Sequence, residues 1–91
     1  MSATVRIPTP LRPLTGGAAE VTVSPGSLGA VLTELDTAFP GLGERVLDDA
    51  GALRRFVNVY VGDDDVRFLS GLDTEVGEGV SVSIVPAVAG G

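Results

Sequence analysis

A 91-residue chain that is 44% hydrophobic builds one compact core and leaves no room for a separate catalytic domain. It has no Cys and no His, and its six basic residues are all Arg (Arg6, Arg12, Arg45, Arg54, Arg55, Arg67). This excludes disulfides, a thiol nucleophile, an imidazole base, a soft-metal site and any lysine on which an isopeptide chain could grow, while a net charge of −6 disfavours nucleic acid and membrane surfaces and favours basic protein surfaces as partners.

Met1 to Thr15 lacks the basic-then-apolar pattern of a secretory leader, and no apolar run approaches the roughly 20 residues of a membrane span, so a cytoplasmic protein is expected. Ala3 to Pro8 alternates, with Val5 and Ile7 on one side and Thr4 and Arg6 on the other, which predicts a half-buried strand. Pro10, Pro13, Gly16 and Gly17 make residues 9 to 18 a loop, and Glu20 to Val23 alternates again as the second arm of a hairpin. Ser24-Pro25-Gly26-Ser27 carries helix-start chemistry. Leu28, Val31, Leu32, Leu35 and Phe39 then form one apolar stripe, ended by Pro40-Gly41. Leu42 to Asp48 adds a short second helical turn through Leu42, Val46 and Leu47.

Phe56 to Val61 reads as the central strand, with Val57, Val59 and Val61 on one face and Phe56, Asn58 and Tyr60 on the other. Gly62 to Asp65 is a turn, and Val66 to Phe68 a short edge strand. Gly71, Gly77 and Gly79 punctuate an irregular stretch before a last strand in which Val80, Val82 and Ile84 face inward. The order strand, strand, helix, strand, short strand, strand predicts an α+β fold of the β-grasp type: a mixed sheet of four to five strands packed on one main helix, fitted by parallel pairing of the first and last strands. Residues 1–85 form this domain, and residues 86–91, opened by Pro86 and closed by Gly90-Gly91, should project as a flexible tail.

With 13 Gly in the chain, a terminal pair alone means little. Two residues without Cβ can nevertheless thread a narrow channel and bring a carboxylate to a buried nucleotide site. With no Cys to hold a persulfide, that carboxylate is also the plausible place for this chain to carry sulfur.

Several separated stretches carry a resemblance over nearly the whole chain. They are Ile7-Pro8-Thr9 with Leu11-Arg12-Pro13, Leu28-Gly29-Ala30-Val31, Arg55-Phe56-Val57-Asn58-Val59-Tyr60-Val61, Asp65-Val66-Arg67-Phe68 and Pro86-Ala87-Val88-Ala89-Gly90-Gly91. On these the chain resembles the ubiquitin-like sulfur carriers related to ThiS and MoaD, and among them the actinobacterial carriers of cysteine biosynthesis. It departs from many members of the family at Gly79-Val80, where an acidic residue commonly follows the glycine.

The resemblance implies a carrier that is not itself an enzyme and binds no cofactor stably. Its Gly91 would be adenylated with ATP by an E1-like adenylyltransferase, often rhodanese-containing, and converted to a thiocarboxylate, with Ala87, Val88, Ala89 and Gly90 entering the partner. A cysteine-synthase-like sulfhydrylase or a thiazole-synthase-like enzyme would accept the sulfur, and a zinc metalloprotease would release cysteine from the adduct. The alternatives are a ubiquitin-like protein modifier or interaction module using the same tail, or a carrier serving a thiosugar, thiazole or molybdopterin pathway.

Phe56, Tyr60 and Val85 are expected on the sheet face away from the helix as the docking surface for the activating enzyme. Asp63-Asp64-Asp65 lacks the ligand spacing of a calcium loop and reads as a solvated turn, so no metal site is expected. Arg54 and Arg55 are placed to pair with the acidic loop or with a partner carboxylate, and the surface ion pair is the reading preferred.

Overall fold

Ala3, Val5 and Ile7 are all buried, so the alternation at the start of the chain does mark one inward face. β1 (Ala3–Arg6) pairs antiparallel with β2 (Glu20–Val23), setting Val5 opposite Val21 and Arg6 opposite Glu20. The computed structural model describes residues 2–86. The connection expected as a plain loop instead winds into a 3-10 helix over Thr9–Thr15. Prolines suit that geometry because their φ is already helical and they have no N–H to satisfy. The Arg12 Nε holds the segment to the sheet by donating to the Ile7 carbonyl at 3.1 Å.

β3 (Gly26–Ser27) runs directly into α1 (Leu28–Ala38), where the Ser27 hydroxyl accepts from the Ala30 amide at 3.2 Å. This is the capping chemistry expected of the segment. Leu28, Val31, Leu32 and Leu35 are buried along one stripe of α1, with Phe39 packed half-buried at its end. Asp36 reaches from the last turn to the start of α2 (Leu42–Val46), its Oδ1 accepting from the Gly43 amide at 2.9 Å and the Gly41 amide at 3.3 Å.

β4 (Val57–Val61), β5 (Asp64–Asp65) and β7 (Ser81–Pro86) join β1 and β2 in one sheet of order β2-β1-β7-β4-β5, while β6 (Glu75–Val76) pairs with β3. β1 and β7 are parallel, with Val5 opposite Val82, and this closes the β-grasp. Two expectations need correcting. The central strand is β7, not β4, since β7 is flanked by β1 and β4 while β4 has only the two-residue β5 beyond it. Val66–Phe68 is a 3-10 turn, not an edge strand. Asp65 caps it by accepting from the Arg67 amide at 2.8 Å, and of its three residues only Val66 is buried. The core is the single layer between sheet and helix, in which Val59, Val66, Val82 and Ile84 meet Leu28, Leu32 and Leu35.

Candidate functional site

The inward alternation of β4 and β7 leaves Asn58, Tyr60, Ser83 and Val85 on the opposite face of the sheet. Register fixes how they meet. Asn58 lies opposite Val85 and Tyr60 opposite Ser83. One row crosses all five strands of that face as Glu20, Arg6, Ser83, Tyr60 and Asp65. The open sheet is therefore largely polar, and its Arg6–Glu20 pair, 3.7 Å apart, is the one ion pair among the described residues.

The three residues expected to form a docking surface are not equivalent. Val85 is 44% exposed on the outer face, and Tyr60 is half-buried two rows away. Phe56 is 59% exposed but lies in the turn before β4, next to the Val57–Pro86 pair. β7 runs through Pro86, one residue past the expected end of the body. Gly91, expected to carry the sulfur, and Ala87, Val88, Ala89 and Gly90 lie outside the described residues. Pro86 fixes where that segment begins: beside the start of β4.

The structure sets two residues beside β4 that sequence reasoning missed. Phe68, expected in a strand, is 88% exposed at the end of the 3-10 turn. Arg67 is spread over the preceding segment. Its Nη2 donates to the carbonyls of Val57 at 2.8 Å and Arg54 at 2.9 Å, and its Nη1 donates to the Asn58 side chain. A planar, always-charged fork can satisfy several acceptors in one geometry in a way that a lysine point charge does not. The only signal for this in the sequence was Arg67 inside a strand-like alternation. Among the described residues Arg54 and Arg55 form none of the expected ion pairs; the Arg54 Nε donates instead to the Glu44 carbonyl at 2.7 Å. Unpaired backbone acceptors near the surface compete with exposed carboxylates, which gain little from pairing.

Asp64 and Asp65 are taken up in pairing with Val61 and Tyr60. Among the described residues, no three His, Cys, Asp or Glu side chains are grouped to hold a metal. A groove of about 260 Å³ lies in the helical layer, lined by Leu32, Asp36, Glu44, Leu47 and Asp48 among others. No helix among the described residues is long and apolar enough to cross a membrane.

A model of the ThiS family matches residues 5–91. The chain is 53% identical to the sulfur carrier protein CysO of Mycobacterium tuberculosis over the full length of both, and the crystal structure of that protein superposes with a TM-score of 0.89 at 51% identity, covering 94% of this chain and 99% of the other. A crystal structure of the BexX/CysO complex from Amycolatopsis orientalis matches with a TM-score of 0.92 at 42% identity, covering 98% of this chain and 99% of that one. The small archaeal modifier protein 3 of Haloferax volcanii is 37% identical over 65 residues, 71% of this chain and 70% of its own.

Proposed function

The chain belongs to the ThiS family, and on that premise we propose that it is a sulfur carrier of cysteine biosynthesis, itself not an enzyme, which presents Gly91 to other proteins. The observation that carries this is 53% identity, end to end, with a named sulfur carrier. The body supports it by holding the strand before residues 87–91 in the middle of the sheet, so that the segment starts from a fixed point.

The chemistry follows from what the chain lacks. A carboxylate is a poor acyl donor; attack of its oxygen on the α-phosphorus of ATP expels pyrophosphate and leaves an acyl-adenylate on Gly91. A persulfide sulfur then attacks the acyl carbon and AMP leaves. A second thiol splits the S–S bond, leaving a thiocarboxylate. With no Cys in this chain, both the persulfide and that thiol belong to partners. The activating partner is thus an ATP-using E1-like adenylyltransferase with a sulfurtransferase such as a rhodanese domain. The acceptor is a cysteine-synthase-like sulfhydrylase, and a zinc metalloprotease releases the product. The relative in the BexX/CysO structure is likewise held by another protein. Phe56, Tyr60 and Val85 are proposed as contacts for the activating enzyme.

Incubation with ATP, the E1-like enzyme encoded in the same genome and a sulfide source tests this by intact-mass spectrometry. The expected product is heavier by the replacement of one oxygen with sulfur, and the gain disappears when Gly91 is deleted. Discrete isopeptide conjugates with no thiocarboxylate would overturn it in favour of a protein modifier. That second reading is favoured by the similarity to a small archaeal modifier protein. In that role this chain acts through its tail only, having no lysine to receive a conjugate.

A further inference from the structure

β4 is covered on its outer edge over only part of its length. β5 pairs with Tyr60 and Val61 and ends there, so among the described residues the start of β4 has no neighbouring strand on that side. The Gly62 amide donates to the Ser81 carbonyl at 2.8 Å. Counting back along the register in steps of two makes Tyr60–Ser83 and Asn58–Val85 the pairs that exchange backbone hydrogen bonds. Val57 then turns both backbone groups away from β7. Its N–H donates to the Arg54 carbonyl at 3.1 Å and its carbonyl accepts from the Arg67 Nη2 at 2.8 Å, while Pro86 across from it has no N–H to give. The last rung that holds β7 before residue 87 is therefore Asn58–Val85.

The Arg67 side chain fills the place of the missing strand. Besides Val57 it bonds the Asn58 side chain through Nη1, and through Nη2 the carbonyls of Arg54 at 2.9 Å and Arg55 at 3.4 Å. Its own position is set by Asp65, whose carboxylate accepts from the Arg67 amide at 2.8 Å. One guanidinium thus fixes the two β4 residues that face Val85 and Pro86. All its bonds but the one to Val57 lie at the surface, where a hydrogen bond adds little to overall stability. What they act on is the local opening of the strand end.

We propose that Arg67 is a positioning residue for the activation of Gly91: it keeps the Asn58–Val85 rung closed and so fixes the point from which residues 87–91 set out. The proposal rests on the carrier reading. Five residues reach about 17 Å at most, so a tether this short passes a displaced origin on to the carboxylate. A misplacement of about 1 Å can cost about 100-fold in rate. Lysine cannot take over this role, because an ammonium point charge does not span several acceptors at once.

The test is ATP–pyrophosphate exchange by the E1-like enzyme of the same genome, measured against concentration of the full chain, with amide hydrogen exchange read on the same proteins. Arg67→Lys keeps the charge but not the fork, and is expected to lower kcat about 10-fold with KM within about twofold, as does Arg67→Ala. The Asn58 and Val85 amides should exchange about 10-fold faster while those of Tyr60 and Ser83 keep their rates. The chain is the substrate here, so a smaller folded fraction or a weaker docking contact raises the apparent KM and leaves kcat alone. A fall in kcat is thus a readout that a merely structural role does not give. Asn58→Ala removes one arm of the fork, and its kcat should fall about threefold even if the Arg67 variants do not fold. The positioning proposal is overturned, with the carrier reading left standing, by an effect confined to KM or by a wild-type kcat in Arg67→Lys or, should that variant be unfolded, in Asn58→Ala. If the wild type supports no exchange, the carrier reading fails and this proposal falls with it.

Discussion

Replacing Gly43 with Ala separates two physical effects of opposite sign. Gly43 is the second residue of α2, and helix propensity alone favours Ala by up to about 1 kcal/mol. A Cβ at that position, however, would sit 2.9 Å from the Cβ, Cγ and Oδ1 of Asp36, closer than carbon atoms pack. The Asp36 carboxylate would have to swing away and release the Gly43 and Gly41 amides that it holds at 2.9 and 3.3 Å. Losing two solvent-exposed bonds to a carboxylate costs about 2 kcal/mol, so the expected net destabilisation is about 1 kcal/mol, or roughly 4–8 °C in Tm for a domain of this size. Thermal and urea unfolding followed by circular dichroism measure it. In an Asp36→Ala background the carboxylate bonds are already absent but the Cβ of residue 36 stays 2.9 Å from the new one, so the same substitution should cost less than in the wild type without becoming stabilising. A Gly43→Ala protein that melts higher than wild type with Asp36 in place would refute the reasoning.

Ser27→Ala removes the side-chain acceptor for the Ala30 amide at the start of α1 and should lower stability by about 1 kcal/mol, with Ser27→Gly losing only a few tenths, as read from urea midpoints at constant slope. Arg6→Ala should change stability by less than about 0.5 kcal/mol at either low or high salt, because its partner Glu20 is 3.7 Å away and both side chains are well over half exposed.

Elements set by local chemistry were legible in the sequence. The α1 stripe, its serine cap and the inward valines of β1, β4 and β7 all follow from spacing that one segment carries within itself. What was not legible depends on pairing across the chain. β4 alternates more strongly than β7, yet strand position is decided by partners far away in sequence, and β7 alone lies between β1 and β4. Val66–Phe68 alternates like a strand, but the Asp65 side chain captures the Arg67 amide and turns the chain before a second ladder can form. Arg67 itself could not be assigned, because its acceptors are backbone carbonyls, which every residue has and no residue type reveals. The proposed reactive end could be argued only as chemistry: Gly91 is singled out by residue type and by the missing cysteines, and it lies outside the described residues.

The place of β7 in the sheet also bears on timing. During synthesis the hairpin and α1 emerge early, but the hole between β1 and β4 stays unfilled until residue 86 has been delivered, since that gap belongs to the strand made last. Contacts such as Val5 with Val82 span almost the whole chain and form slowly for that reason. Gly91 therefore follows the strand that completes the sheet.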